Sequence, residues 1–357
     1  MNKIVVVGAG KTGRGFVGRL LAEGGREIIF IDRDKSLIDE MNRVKSYNVF
    51  FFADKRPPVT VCRYRACTWE DADIDGADTV FVSVGGTNLA DVGARLKGLL
   101  KKDRGYSVIS CENAANPSAV LQNAYGDCIN AGFSNGIIFC TTIEKSGLDI
   151  LSEDYPYLQC EGAPLRDNYT SIEGIRPIDN FDNFLTRKIY TYNSASAVIA
   201  YLGWKKGYTV YADAANDVEI SALLDTHYEQ AGAALCKAFG YDEADQAEFA
   251  GLSKAKFLDR AIVDTIERNA REPLRKLGPD ERVVGPMKLI EQYGGDSGVL
   301  QMTAAAILLY ADENDAAWTR IKKEKTHSQI LEEVCGLESG GKLEQGILGY
   351  VRQLEKC

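Results

Sequence analysis

The sequence has no long apolar run and no surplus of positive charge. No stretch of 18 consecutive apolar residues occurs, so nothing in the chain predicts a membrane-spanning helix. The formal net charge is −9, whereas a general nucleic-acid binder needs a basic surface to neutralise phosphates. We therefore expect a protein that binds neither a membrane nor a nucleic acid. A local basic site for one small anion remains compatible with this charge.

Histidine is scarce, and the cysteines show no pairing pattern. The two histidines, His227 and His327, lie far apart without further ligand residues around them, so we expect no zinc or other metal site. The nine cysteines are odd in number and include no CxxC pair. A chain of 357 residues can bury a sizeable core without disulfide bonds, so reduced thiols in the cytoplasm are the simplest interpretation.

The first half of the chain alternates β-rich runs with helical patterns. This alternation is typical of a doubly wound, mostly parallel α/β sheet. We also predict a hairpin inserted in this region. Residues 151–180 are expected to form either irregular strands or a bridging segment. The predicted strands are Ile4–Val7, Glu27–Ile31, Val80–Val84, Ser107–Ser110 and Gly136–Thr142, with hairpin strands Val49–Phe52 and Val59–Tyr64.

From Thr186 onward β-rich runs are nearly absent, and helical periodicity dominates. The length of the chain also exceeds that of one typical core, which favours two domains. We place the boundary near residue 186. The predicted helices are Asn193–Leu202, Asp217–Phe239, Glu243–Asn269, Val283–Tyr293, Val299–Tyr310 and Ile330–Val334, after a helix Phe16–Ala22 in the first half.

The first predicted strand runs directly into a glycine motif and then a helix. Gly8 permits a tight turn, Gly10 lets a pyrophosphate approach the backbone, and Gly13 lets the helix pack against the strand. The N–H groups at the start of the helix attract phosphates. The sequence therefore predicts an NAD-binding Rossmann-type domain over residues 1–186 and a mainly α-helical substrate domain over residues 187–357.

An acidic residue follows at the end of the second predicted strand. The carboxylate of Asp32 is placed to bind both ribose hydroxyls and to repel a 2′-phosphate, which favours NAD over NADP, although Arg33 beside it is able to accommodate that phosphate. FAD, or a turn without a ligand, are the alternatives. Ligands lie beyond the carboxyl ends of parallel strands, so the loop after Val80–Val84 is expected at the site unless it is a plain turn. The predicted cofactor contacts are Gly8, Ala9, Gly10, Lys11, Thr12, Gly13, Asp32, Arg33, Val84, Gly85, Glu112 and Asn113.

Five segments, in order along about 300 residues, carry a resemblance: Gly8–Phe16, Ser110–Asn113, Arg187–Asn193, Ala200–Gly203 and Arg271–Leu277. They resemble the polyol-specific long-chain dehydrogenases, the mannitol dehydrogenase family, and within it the mannitol-1-phosphate 5-dehydrogenases. The resemblance implies a Rossmann domain, a helical C-terminal domain and zinc-independent hydride transfer between NAD and a secondary alcohol.

The resemblance also implies roles for catalytic residues. Lys188 would be the base, which requires burial or nearby positive charge to lower its pKa, and the amides of Asn193 and Asn113 would hydrogen-bond the substrate oxygen. Without that context, Lys188 would be interpreted as a surface lysine, Asn193 as a helix cap and Asn113 as a turn former. The family signature is Lys, four residues, Asn, two residues, His, and here Ser196 stands in the histidine position. A serine hydroxyl forms hydrogen bonds but cannot take up a proton near pH 7.

Four basic residues, Arg268, Arg271, Arg275 and Lys276, fall close together in this acidic chain. Guanidinium groups bind phosphate in bidentate fashion, while a solvated helix end is the alternative. We therefore expect interconversion of a hexitol phosphate resembling mannitol 1-phosphate and a ketose phosphate resembling fructose 6-phosphate. An unphosphorylated polyol or a hexuronate as substrate, or an NAD-binding homologue that has lost turnover, remain open. So does the choice between a monomer and a small homo-oligomer.

Overall fold

The computed structural model describes residues 3–112, 116–127, 129–312 and 314–356. The chain divides into two compact units, Met1–Phe181 and Asp182–Cys357, here called the N-terminal and C-terminal units. A helix, Phe181–Lys188, contains the boundary near residue 186 that the sequence predicts. The predicted catalytic residue Asn113 lies outside the described residues.

The N-terminal unit is built on an eight-stranded sheet, with strands and helices numbered here in chain order. Its strands are β1 (Lys3–Val7), β2 (Glu27–Ile31), β5 (Tyr64–Cys67), β6 (Ala77–Val82), β7 (Tyr106–Ser110), β8 (Ala131–Ile137), β11 (Leu158–Glu161) and β12 (Ile175–Ile178). Their spatial order is β12-β11-β8-β7-β6-β1-β2-β5, and every pair is parallel except β8 with β11. The order reverses at β1, which is a topological switch point. The predicted doubly wound, mostly parallel sheet is confirmed.

The central strands β1, β2, β6 and β7 are buried almost throughout, as expected of parallel strands covered on both faces. The helices of this unit are α1 (Arg19–Glu23), α2 (Lys35–Val44), α3 (Leu89–Leu99) and α4 (Pro117–Tyr125).

The strand predicted at Gly136–Thr142 was placed wrongly, because β8 ends at Ile137. The glycines of β8 weaken the β-rich pattern of its sequence, but they allow neighbouring backbone atoms to pack closely against the strand. A Cβ on Gly132 would lie 1.8 Å from Pro164 O, and one on Gly136 would lie 2.6 Å from Ser110 O.

A second, four-stranded sheet belongs to the same unit. It contains β3 (Tyr47–Phe51), β4 (Val59–Val61), β9 (Thr142–Ser146) and β10 (Asp149–Ser152), in the order β4-β3-β10-β9. The antiparallel pairing of β3 with β4 confirms the predicted hairpin, although Tyr64 belongs to β5 of the main sheet. Strands β9 and β10 form a second hairpin, with Gly147 in its turn at φ 56°. Residues 151–180 supply the end of β10 and the strands β11 and β12.

The described part of the C-terminal unit is helical. Helix α13 is apolar on all sides and buried, so it forms the centre of this unit, and most of α6 is buried as well. The helices are α5 (Phe181–Lys188), α6 (Ser194–Lys205), α7 (Tyr211–Ala215), α8 (Val218–Phe239), α9 (Glu243–Leu258), α10 (Ile266–Ala270), α11 (Pro273–Lys276), α12 (Val284–Gln292), α13 (Gly298–Leu309), α14 (Ala316–Glu324), α15 (His327–Glu333) and α16 (Lys342–Leu354).

The long helix predicted at Glu243–Asn269 is in fact two helices. Asp242 caps the start of α9 by accepting hydrogen bonds from two backbone N–H groups, and the helix ends at Leu258. Asp259 then has an extended conformation, and Thr265 caps α10 through Arg268 N. Local cap residues therefore override a periodicity that continues across the break.

Among the described residues, no helix has the length and apolarity to cross a membrane. No group of three or more His, Cys, Asp or Glu residues that could hold a metal ion occurs in the same part of the chain. The seven described cysteines are free thiols.

Candidate active site

Backbone atoms pack so closely around the turn after β1 that two of its glycines have no space for a Cβ atom. Gly8 has φ 95° and donates its N–H to Ile31 O at 2.8 Å, and a Cβ on it would lie 1.9 Å from Ser83 O. A Cβ on Gly13 would lie 1.9 Å from Gly8 O, whereas one on Gly10 would meet nothing within 4 Å. The fold therefore requires Gly8 and Gly13, while Gly10 faces open space through which a ligand can approach the backbone.

The helix after this turn begins as a π-helical stretch, Gly13–Gly18, and continues as α1. It therefore starts earlier than the sequence indicates. Thr12 precedes it and makes no side-chain cap hydrogen bond, while the N–H of Arg14 donates to Gly10 O at 2.9 Å. The positive end of the helix dipole at this turn favours a phosphate.

Asp32 joins the end of β2 to the glycine turn. Its Oδ2 accepts the N–H of Ala9 at 2.6 Å, and its Oδ1 accepts the N–H of Asp34 at 3.0 Å. The carboxylate is therefore fixed in position, and it is half-buried at the edge where the predicted ribose site lies. Arg33 is exposed, and its Nη1 donates to Asn88 Oδ1 at 3.4 Å.

Glu112 holds the loop that follows β6. Its Oε1 accepts the N–H of Val84 at 2.6 Å and that of Gly85 at 2.8 Å, and Gly85 has φ 84°. A carboxylate shared by two successive backbone N–H groups fixes the loop conformation. This predicted cofactor residue therefore also acts on the backbone beside the site.

These elements line a pocket of about 850 Å³ within the N-terminal unit, a volume usual for a cofactor site. The predicted residues that line it are Gly8, Gly10, Lys11, Thr12, Asp32, Arg33, Val84, Gly85 and Glu112. Its further lining residues include Arg14, Trp69, Asn88, Arg95 and Glu144. Trp69, Asn88 and Arg95 follow the strands β5 and β6, so the rule that ligands lie beyond strand ends could have indicated them.

Arg14 is a pocket residue that the glycine pattern did not indicate. It is buried, and its guanidinium donates to Ala9 O. Burial lowers its pKa, an effect that the nearby Tyr47, Glu144 and Asp32 oppose. The glycine turn is thus held by a charged side chain from within its own helix.

In the C-terminal unit, a π-helical turn aligns the motif residues. Lys188 ends α5, the π-helical stretch Ile189–Asn193 follows, and α6 begins at the next residue. In a π-helix the residue five positions on lies one turn above, so Lys188 and Asn193 share a face. Between positions 189 and 197 only Ile189, Asn193 and Ser196 are not buried. The signature spacing of four residues therefore places its members side by side.

Lys188 has the electrostatic surroundings of a base. Burial lowers its pKa to about 8, and the positive charges of Arg282 and Lys256 act in the same direction. An ordinary lysine is almost entirely protonated at pH 7–8, whereas here a substantial fraction is neutral. This is the condition for proton abstraction near neutral pH.

The aromatic residues around the motif are packed rather than free to react. The ring of Tyr190 lies against Gly285, where a Cβ would be 2.3 Å from the phenol oxygen. The ring of Tyr192 packs edge-on against Phe249 at a centroid distance of 5.0 Å. His227 is buried, and burial lowers its pKa to about 4, so its imidazole is neutral at pH 7. All three side chains are therefore part of the packing around the motif.

Comparisons with known proteins decide the family. The model of the Mannitol dehydrogenase Rossmann domain matches residues 2–135, and that of the Mannitol dehydrogenase C-terminal domain matches residues 180–340. A mannitol-1-phosphate 5-dehydrogenase of Caldanaerobacter subterraneus is 31% identical over 90% of both chains. The chain belongs to the mannitol dehydrogenase family.

Other members of the family and solved structures agree with this assignment. A mannitol-1-phosphate 5-dehydrogenase of Oceanobacillus iheyensis is 29% identical over 99% of both chains. A D-sorbitol dehydrogenase structure has a TM-score of 0.72 at 14% identity, covering 99% of this chain and 93% of its own. A mannitol 2-dehydrogenase of Pseudomonas fluorescens, solved with NAD and D-mannitol, has a TM-score of 0.59 at 14% identity and covers 99% and 91%. These structures show the same fold.

Membership of the mannitol dehydrogenase family confirms, at the level of the family, three predictions: a Rossmann-type domain, an oxidoreductase and NAD as its cofactor. The glycine turn fits that cofactor, because Gly10 leaves open space beside the start of the helix.

The predicted phosphate ligands of this family member do not form one group. Arg268 and Arg271 are exposed, and Arg275 pairs with Glu272 at 2.6 Å. Lys276 is buried and donates to a backbone carbonyl. The reason is a break in the helix, since α10 ends at Ala270 and α11 begins at Pro273. Residues three or four apart therefore do not share a helix face here.

One cationic residue next to Lys188 escaped the sequence patterns. Arg282 lies between α11 and α12, and its side chain is only 14% exposed. Its charge lowers the pKa of Lys188 and also that of Lys276, which burial brings to about 7. The segment around Arg282 has no periodicity or motif, so only the three-dimensional structure brings it to the lysines.

Proposed function

We propose that this enzyme interconverts a hexitol phosphate resembling mannitol 1-phosphate and a ketose phosphate resembling fructose 6-phosphate, with Lys188 as the base. The observation that carries the proposal is Lys188 itself: its pKa is lowered to about 8, and it shares a face with Asn193 and Ser196. The names of relatives about 30% identical over nearly the whole chain support a phosphorylated substrate.

The N-terminal pocket supplies the cofactor site in this proposal. When bound there, NAD would supply the hydride acceptor for oxidation, and NADH the hydride donor for reduction. The helix N–H groups after Gly10 would hold its phosphates, and Asp32 would bind the adenosine ribose. Because Asp32 is fixed by Ala9, its charge cannot turn away from a 2′-phosphate, which favours NAD over NADP.

The motif face supplies the proton chemistry. In oxidation, neutral Lys188 takes the proton of the substrate hydroxyl as the hydride departs, and in reduction its ammonium returns that proton to the carbonyl oxygen. The amide of Asn193 donates a hydrogen bond to the same oxygen, and we assign the same role to Asn113 on the resemblance. Ser196 can add a hydrogen bond but no proton.

The serine at position 196 also favours a second candidate, a homologue that binds NAD and has lost turnover. A positioned acid–base group contributes roughly 10²–10⁴ in rate, so loss of a histidine with that role would leave little activity. The substitution Ser196→His separates the two cases. If the enzyme is active, this substitution leaves the rate nearly unchanged or lowers it. If the protein has lost turnover, the substitution restores the reduction of fructose 6-phosphate by NADH.

The exposure of Arg268 and Arg271 keeps an unphosphorylated polyol or a hexuronate as alternative substrates. Rates with fructose 6-phosphate, fructose and a hexuronate at equal concentration separate these cases. We further propose a cytoplasmic enzyme, which the free thiols support.

The direct test follows NADH absorbance with fructose 6-phosphate for the wild type and Lys188→Ala. We expect the substitution to lower kcat by roughly 10²–10⁴ while NADH still binds. The exposed Lys323, substituted by Ala, is the matched control and keeps full activity. Equal loss in both variants, or full activity of Lys188→Ala, contradicts the proposal.

A further inference from the structure

A buried glutamine of α9, Gln246, bridges two residues of the motif segment. Nε of Arg187 donates to Gln246 Oε1 at 2.7 Å, and Gln246 Nε2 donates to Thr191 Oγ1 at 3.2 Å. Arg187 and Gln246 are each 4% exposed, and Thr191 is 1% exposed. Arg187 immediately precedes Lys188, and Thr191 lies within the π-helical stretch. The three residues, which we call the polar bridge, therefore connect the end of α5 to that stretch by way of α9.

The guanidinium of Arg187 is held on α9 through all three of its nitrogens. Besides the bond from Nε to Gln246, its Nη2 donates to Asp245 O at 2.8 Å, and its Nη1 pairs with Asp245 Oδ2 at 2.7 Å. The rings of Tyr241 and Phe249 lie 4.4 and 4.3 Å from its guanidinium carbon. A buried charge is costly unless it is paired, so Arg187 cannot turn away from α9 without a large penalty. The last turn of α5 is therefore fixed in its rotation.

The π-helical turn determines where the motif residues point. In an α-helix, with 3.6 residues per turn, side chains five positions apart point roughly 140° away from each other. The π-helical stretch removes most of that angle and places Lys188 and Asn193 on one face. The stretch contains neither proline nor glycine, so no residue of unusual backbone preference explains it. Its described contacts with α9 are the bond to Thr191 and the packing of Tyr192 against Phe249.

We propose that Gln246 is a positioning residue, which keeps the π-helical turn in place through Arg187 and Thr191 and so holds Lys188 and Asn193 on one face. The inference rests on the proposed function, because that function gives Lys188 the role of the base. The polar bridge is buried against α9, whereas Lys188 and Asn193 are only partly buried. Gln246 therefore acts on the reaction through the turn.

The first experiment compares Gln246→Met with the wild type in the reduction of fructose 6-phosphate by NADH. Methionine has a similar length and volume but forms neither hydrogen bond, so the polar bridge is lost with little change in packing. A misplacement of about 1 Å costs roughly 10²-fold in rate, so kcat should fall about 10- to 100-fold. The KM for fructose 6-phosphate and the dissociation constant of NADH should stay within about threefold of the wild type.

Gln301 provides the matched control. It is also a buried glutamine, 9% exposed, and its Nε2 donates to Ser297 Oγ at 2.9 Å. This bond lies at the start of α13 and involves no residue of the motif segment. Gln301→Met should lower the melting temperature to a similar extent as Gln246→Met and keep kcat within about threefold of the wild type.

A second pair of variants removes or keeps one hydroxyl of the polar bridge. Thr191→Val retains the shape of the side chain but offers no acceptor to Gln246 Nε2, so kcat should fall about fivefold, the equivalent of one hydrogen bond. Thr191→Ser keeps the hydroxyl, and its kcat should stay close to that of the wild type. This pair carries the comparison should Gln246→Met fail to fold by circular dichroism.

Hydrogen exchange measured by mass spectrometry provides a readout that does not depend on turnover. The amides of residues 189–197 should exchange about 10-fold faster or more in Gln246→Met and keep their wild-type rates in Gln301→Met. If Lys188→Ala proves fully active, the proposed function fails, and hydrogen exchange still decides whether Gln246 holds the turn.

Several outcomes would overturn the inference. One is a kcat that Gln246→Met leaves unchanged, or that Gln301→Met lowers to the same extent. Another is equal loss of activity in Thr191→Val and Thr191→Ser. A third is a raised KM for fructose 6-phosphate at constant kcat, because Gln246 would then act on substrate binding. Unchanged hydrogen exchange at residues 189–197 in Gln246→Met would also contradict it.

Discussion

The two units of this enzyme carry their functional residues in different ways. In the N-terminal unit the site is made largely of backbone, and side chains such as Asp32, Glu112 and Arg14 hold that backbone in shape. In the C-terminal unit the site is made of side chains, and Lys188, Lys276 and Arg282 come from separate segments. The first kind of site can be recognised from local sequence, whereas the second depends on tertiary packing.

The difference also concerns charge. The N-terminal pocket mixes cations and carboxylates, and each carboxylate there has backbone N–H partners or a nearby arginine. In the C-terminal unit, burial and nearby positive charges lower the pKa values of Lys188 and Lys276. The dinucleotide site thus depends on a fixed backbone conformation. The proposed proton-transfer site depends on burial and like charges, which shift the pKa of its base.

The largest expected effect separates the two roles of glycine in the N-terminal unit. Gly13→Ala places a Cβ 1.9 Å from Gly8 O and should lower the free energy of unfolding by about 3 kcal/mol or more. Gly10→Ala has open space for its Cβ, so stability should stay within about 0.5 kcal/mol of the wild type while NADH binding weakens. Calorimetry and a fluorescence titration with NADH measure both effects. Equal destabilisation by the two substitutions would contradict the assignment of Gly10 to the ligand.

An intermediate effect is expected at Asp32. Asp32→Asn removes the charge but keeps an acceptor for the N–H of Ala9, so the turn should persist. Loss of charge-assisted ribose contacts and of repulsion should shift the ratio of NADH to NADPH affinity about 10- to 100-fold towards NADPH. Titration of both cofactors provides the measurement. Asp34→Asn, which conserves a helix-capping residue of α2, is the control, and a comparable shift in it would count against the role of Asp32.

The smallest effect is expected at Glu112. Glu112→Gln keeps one oxygen for the N–H groups of Val84 and Gly85 but removes the negative charge, which costs about 1 kcal/mol. NADH affinity should fall about fivefold, with kcat little changed. The exposed Glu70, substituted by Gln, is the control. A much larger loss, or a loss of kcat alone, would show that Glu112 contacts the reactants rather than the loop.

Much of the N-terminal unit could be predicted from the sequence. The strands β1, β2, β6 and β7 are continuous apolar runs, and the glycine motif has a strand before it and a helix after it. The failure at β8 has a physical cause, because the strand needs Gly132 and Gly136 for close backbone contacts and so lacks β-branched residues there.

The C-terminal site could be predicted only in part. Resemblance indicated Lys188 and Asn193, but their shared face depends on a π-helical turn that no periodicity revealed. The arginines at 268, 271 and 275 recur at about one helical turn, but Pro273, which was expected to end or kink the helix, begins a separate helix. Arg282 carried no local signal, because its position beside Lys188 results from the packing of distant segments.

The measurement that tests the account most directly is the pH dependence of hydride transfer in a single turnover of mannitol 1-phosphate oxidation. A base whose pKa is lowered to about 8 must be neutral to act, so the rate should rise with pH, reach half its maximum near pH 8 and level off above it. Reduction of fructose 6-phosphate, which needs the protonated lysine, should fall over the same range. If the rate did not change between pH 6 and pH 10, or if Lys188→Ala kept the same pH profile, Lys188 would not be the base.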